Sequence, residues 1–107
     1  MGSFQGDESL CITIFDDREQ RTRYRQNKHI EVPQAAMRKY YEWRRLVRDY
    51  GHDPKTAAKS VSDANCEKLH GVTDTYSFRI NQEHRVVFIK RGNDITVLSV
   101  GGHYVRQ

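Results

Sequence analysis

The sequence predicts an α+β fold, a small antiparallel sheet made of an N-terminal strand and a C-terminal three-stranded meander, packed on a helical hairpin. Three observations predict it. An apolar stripe at helical spacing runs through residues 33–50, the hydrophobic period changes to two after Leu69, and the last three apolar runs are joined by links short enough to force antiparallel neighbours.

The first strand is read at residues 10–15, LCITIF, where Leu10, Ile12 and Ile14 alternate and β-branched residues are frequent. The following stretch, DDREQRTRYRQNKH, is highly charged and has no apolar stripe, so a solvated helix and an ordered loop both fit it. In PQAAMRKYYEWRRLVRDY, Ala36, Tyr40, Trp43, Val47 and Tyr50 form one narrow stripe, with Pro33 suited to the first helical turn and Gly51 to the stop. A second helix starts at DPKTAAKSVSDA, with Asp53 as its cap, Pro54 in its first turn, and Ala57, Ala58, Val61 and Ala64 on its buried side. Residues 76–80, 85–90 and 95–100 are the three strands of the meander.

Residues 1–9 carry no such pattern and are expected to be a flexible lead-in, with 10–107 forming a single domain. Lys and Arg number 18 against 14 Asp and Glu, a formal net charge of +4, which favours an anionic partner such as RNA or an acidic protein segment. Cys11 and Cys66 fit neither a disulfide framework nor a zinc-knuckle spacing, and a reduced, cytoplasmic setting is expected. The start MGSFQGDESL lacks the features of a signal peptide, and runs such as VVFI are too short to cross a bilayer, so no membrane partner is expected.

With three-residue loops at 82–84 and 92–94, Tyr76, Phe78, Ile80, Val86, Phe88, Leu98 and Val100 share a face beneath the helices. Ser77, Arg79, Arg85, Val87 and Ser99 take the other, and the same parity brings His103 to it. Two guanidinium forks and an imidazole on one face suit phosphate chemistry: arginine matches phosphate oxygens and stabilises the extra charge of a pentavalent transition state. Histidine exchanges protons near neutrality and can protonate a leaving 5′ oxygen. Glu67, just before the meander, is the nearest carboxylate by sequence to serve as base for a 2′-hydroxyl. The competing reading is a set of solvated arginines on an open strand face.

The runs CEKLHG, YSFRINQEHRVVF and the later GGHY resemble the RelE/ParE toxin superfamily, most closely its YoeB-like mRNA interferases, over about residues 67–104. The resemblance implies a type II toxin that cleaves mRNA in the ribosomal A site by 2′-hydroxyl attack, without metal or other cofactor. It matches Glu67 to the general base, Arg79 and Arg85 to the phosphate-holding pair, His103 to the general acid, and Tyr104 to the aromatic that orients the substrate. It also implies a cognate antitoxin, whose acidic or amphipathic segment covers the basic surface, and it extends the RNA-facing set to Lys68 and His70. His70 stands where the family often has lysine, and the charged segment at 16–32 is longer than the usual link.

Arg38, Tyr41, Arg45 and Arg48 form a second stripe on the long helix, to be read either as an RNA contact through Arg45 and Arg48 or as a solvent face. A zinc site from Cys66, His70, His84 and His103 lacks motif spacing. Two function classes stand: the endoribonuclease, and a non-catalytic relative such as a ParE-like gyrase inhibitor or an RNA- or antitoxin-binding module.

Overall fold

The computed structural model describes residues 13–62 and 66–102. The order of elements is β1 (Ile14–Asp16), α1 (Arg18–Arg25), α2 (Gln34–Arg44), continued by a π-helical stretch Arg45–Asp49, α3 (Pro54–Ser62), β2 (Glu67–Lys68), β3 (Thr75–Arg79), β4 (Arg85–Arg91) and β5 (Asp94–Val100). The strands form one five-stranded sheet in the order β1-β5-β4-β3-β2. The α+β class and the antiparallel meander β3-β4-β5 agree with the sequence reading. β1 runs parallel to β5, which makes the sheet mixed, and β2 is an added edge strand beside β3. Residues 10–12 of the expected first strand lie outside the described residues, as does Ala64 of the second helix.

The core is built around Trp43, which is fully buried and has its ring centroid 5.1 Å from Phe78, 5.2 Å from Phe88, 5.8 Å from Phe15 and 5.9 Å from Tyr40. Its indole N–H donates to the Pro54 carbonyl at 3.0 Å, tying α2 to the first turn of α3. Asp53 caps α3 as expected, with Oδ2 accepting the backbone N–H groups of Lys55 and Thr56 at 3.0 and 3.1 Å. α2 begins at Gln34 rather than in Pro33, whose carbonyl accepts the amides of Ala36 and Met37.

The apolar stripe holds for Ala36, Tyr40, Trp43 and Val47 and fails at Tyr50, which is 61 % exposed. The π-helical stretch widens the last turn, so a residue seven positions beyond Trp43 no longer returns to the same face. Gly51 then adopts φ 70°, and the His52 amide reaches back to the Leu46 carbonyl at 3.0 Å, closing the helix end.

The charged stretch is a helix, α1, held by polar contacts rather than an apolar stripe. Asp17 is 7 % exposed and accepts Tyr40 Oη at 3.3 Å and Arg44 Nη1 at 3.1 Å, while Arg21 pairs with its other oxygen at 3.0 Å. Burial and the neighbouring Asp17 carboxylate hold the Tyr40 phenol well above its ordinary range.

The sheet register differs from expectation in an instructive way. Arg79 pairs with Arg85, a shift of two residues that leaves the faces unchanged. Between β4 and β5 the loop has two residues, Gly92 and Asn93, and the extra residue sits instead in a bulge, where Val87 pairs with Ser99 and Phe88 with Val97. Ile95, Val97 and Val100 therefore line the core, and Leu98, expected there, does not. The Leu98 carbonyl accepts Arg23 Nη1 of α1 at 3.1 Å.

Trp43→Ala is expected to lower unfolding free energy by about 3–5 kcal/mol in a denaturant titration, whereas Tyr50→Ser, at an exposed position, should stay within about 0.5 kcal/mol of the parent. Gly101 has φ +104°, and a Cβ built there meets Val32 Cγ2 at 2.6 Å. Gly101→Ala should therefore cost about 1–3 kcal/mol in the same assay.

Candidate active site

Arg79 and Arg85 are direct cross-strand partners at the loop end of the β3-β4 hairpin, so their side chains leave the same face of the sheet. That face is opposite the one Phe78, Val86 and Phe88 present to Trp43, because side chains alternate along each strand. Ser77 pairs with Glu67 of the edge strand, which places the carboxylate on the arginine face.

Arg85 is fixed from two directions. Its Nε donates to Ser77 Oγ at 2.6 Å, and its Nη2 donates to Glu67 Oε1 at 3.2 Å. The Arg85 side chain is 16 % exposed and the Glu67 side chain 67 %. A guanidinium this covered is costly to bury unless good acceptors meet it, and the buried Ser77 hydroxyl together with the carboxylate supplies them. Arg79 is exposed and makes no hydrogen bond or ion pair among the described residues. The site thus pairs one immobilised guanidinium with one that is exposed.

β5 ends beside Arg85. The Gly101 amide donates to the Arg85 carbonyl at 2.8 Å, and the Arg85 amide donates to the Gly102 carbonyl at 3.0 Å. His103 and Tyr104 lie outside the described residues. The glycine pair is required by crowding as well as turning: Ile30 and Val32 pack against it, and both glycines have positive φ.

The remaining candidates separate from this group. Lys68 pairs with Tyr76, so it sits on the opposite face of β2 from Glu67. His70 is exposed in the turn that follows. Arg45 and Arg48 lie on the π-helical stretch with their charges compensated locally: Arg45 Nη2 is 2.6 Å from Glu42 Oε2, and Arg48 Nε is 2.9 Å from Asp49 Oδ1. Arg45 also covers the Tyr50 ring at 5.1 Å. Burial pushes the Cys66 thiol up to about 11, leaving it a poor metal ligand or nucleophile near neutrality.

Ser77 and His84 belong to the site's framework, and neither was singled out for it from the sequence. The available signal for Ser77 was a small polar residue between two aromatics in a core strand. For His84 it was only adjacency to Arg85.

No family model matches the chain, and no curated protein does. Among solved structures, the YoeB dimer from Staphylococcus aureus is similar at 27% identity, over 86% of this chain and 95% of that one, with a TM-score of 0.51. The YoeB-YefM toxin-antitoxin heterotetramer from the same organism is 24% identical over the same shares, with a TM-score of 0.48. In its fold the chain is thus similar to the YoeB dimer, in agreement with the resemblance of its last third to the YoeB-like members of the RelE/ParE toxin superfamily.

Proposed function

We propose that the chain is the toxin of a type II toxin-antitoxin system and acts as a ribosome-dependent mRNA endoribonuclease. The observation that carries this reading is the convergence of Glu67, Arg85 and Arg79 on one face of the sheet, with Arg85 clamped by Ser77. A protein that only binds RNA or an antitoxin has no need of a carboxylate placed against an immobilised guanidinium.

In the proposed reaction the 2′-hydroxyl attacks the adjacent phosphorus, Glu67 takes its proton, and the bond from phosphorus to the 5′ oxygen breaks. The products are a 2′,3′-cyclic phosphate and a 5′-hydroxyl. Arg85 and Arg79 hold the non-bridging oxygens and stabilise the charge that grows on them. His103 gives a proton to the leaving oxygen, and Tyr104 stacks on a base. In the free protein Glu67 and Arg85 satisfy one another, so a bound phosphate competes for the guanidinium. The pair is exposed on the carboxylate side, and separating it costs little, about 0–1 kcal/mol.

The partners of this reading are mRNA on the ribosome, in the cytoplasm, and a cognate antitoxin. A cleft of about 330 Å³ between α1 and α2 suits an acidic amphipathic antitoxin segment, since it joins Tyr24, Met37 and Tyr41 with Arg21, Arg25 and Arg44.

Glu67→Gln, Arg85→Ala and His103→Ala are each expected to slow cleavage of ribosome-bound mRNA by about 100-fold or more and to relieve growth arrest on expression. Unchanged toxicity in all three, with wild-type circular dichroism melts, contradicts the reading. Ser77→Ala leaves Arg85 charged but unpinned and should lower kcat/KM by about tenfold; an unchanged value in a steady-state cleavage assay excludes the pinning role.

A further inference from the structure

At the end of β5 one backbone amide, that of Gly102, has a side chain as its acceptor. β5 pairs with β4 as far as Val100 opposite Val86, and the ladder contacts continue through Gly101 N–H to Arg85 O and Arg85 N–H to Gly102 O. The Gly102 N–H points away from this ladder, at φ +75°, and its acceptor is the ring nitrogen Nδ1 of His84 at 2.8 Å. The imidazole therefore stands where the next backbone carbonyl of a strand would stand.

His84 is itself aimed. Asn81 Oδ1 accepts the amides of Glu83 and His84 at 2.8 and 2.7 Å, and the Ile80 amide donates to the His84 carbonyl at 2.9 Å. These contacts order the hairpin loop and set the ring against the glycine pair. On its other side the pair is crowded by Ile30, whose Cδ1 is 3.0 Å from a Cβ built on Gly102. Gly102 is thus held between an imidazole acceptor and an apolar wall, one residue before His103.

We propose that His84 is a positioning residue: through Nδ1 it anchors the Gly102 amide and so fixes the end of β5 against Arg85. An Nδ1 that accepts carries no proton, so the ring holds its proton on Nε2. The anchor itself rests on the hydrogen-bond geometry; its effect on RNA cleavage rests on the nuclease reading above.

The test uses the two amide isosteres of histidine. Asn places an oxygen near the position of Nδ1, and Gln places one near Nε2. Amide exchange at Gly102 in 15N-labelled protein and single-turnover cleavage of ribosome-bound mRNA are measured for the wild type, His84→Asn, His84→Gln and His84→Ala. His84→Asn should keep Gly102 protection and cleavage within about threefold of wild type, while His84→Gln and His84→Ala should each lose about tenfold in both. KM should move little, because the phosphate-binding arginines are untouched. Should His84→Gln and His84→Ala keep wild-type protection at Gly102, or should His84→Asn fail as completely as alanine, the anchoring role is overturned. Protection that follows the expected order in a protein with no cleavage at all supports the anchor and counts against the nuclease reading alone.

Discussion

Trp43 packed against Phe78 and Phe88 is the constraint from which the site follows. The two phenylalanines come from neighbouring strands, and burying both beneath one indole fixes which face of β3 and β4 is inside. With a side-chain period of two, Ser77, Arg79 and Arg85 then have no choice but the other face, since a slip of one residue would put guanidinium groups into the core and phenylalanines into water. Packing energy on one side of the sheet thereby specifies electrostatics on the other.

On the outer face the polar contacts act in sequence. The edge strand β2 brings Glu67 opposite Ser77, and Ser77 receives Arg85. A hydroxyl between aromatic neighbours in a core strand is costly to bury unless it is hydrogen-bonded, and a covered guanidinium is costly unless it is paired. Each group supplies what the other needs. The result is an arginine whose orientation is decided before a ligand arrives, beside one that is exposed, an arrangement suited to charge that appears only in a transition state.

What could be read from the sequence divides along the same line. Apolar patterns were legible: the stripe through Trp43, the alanine face of α3 and the three strands of the meander all report burial directly. Tyr50 was misplaced because a π-helical turn is set by packing at the helix end, which leaves no periodic trace. Leu98 was misplaced because a turn and a bulge absorb an extra residue equally well in the pattern. α1 was undecided because it docks through Asp17, Arg23 and other polar groups, and β2 escaped notice because two residues of an edge strand carry no period. At the site, placing Arg79 and Arg85 on one face needed only hairpin parity. The pinning by Ser77 and the seat of Gly102 on His84 depend on hydrogen-bond directions, which a linear pattern does not encode.

The central claim is that this face performs in-line attack by a 2′-hydroxyl on its own phosphodiester. The most direct measurement places a single 2′-deoxynucleotide at the mapped cleavage position of an mRNA bound to ribosomes and follows the cut with purified protein. The account predicts that cleavage at that bond disappears while an all-ribose control yields a 2′,3′-cyclic phosphate end. Cleavage that continues at the deoxy position would contradict it, because the nucleophile would then come from elsewhere.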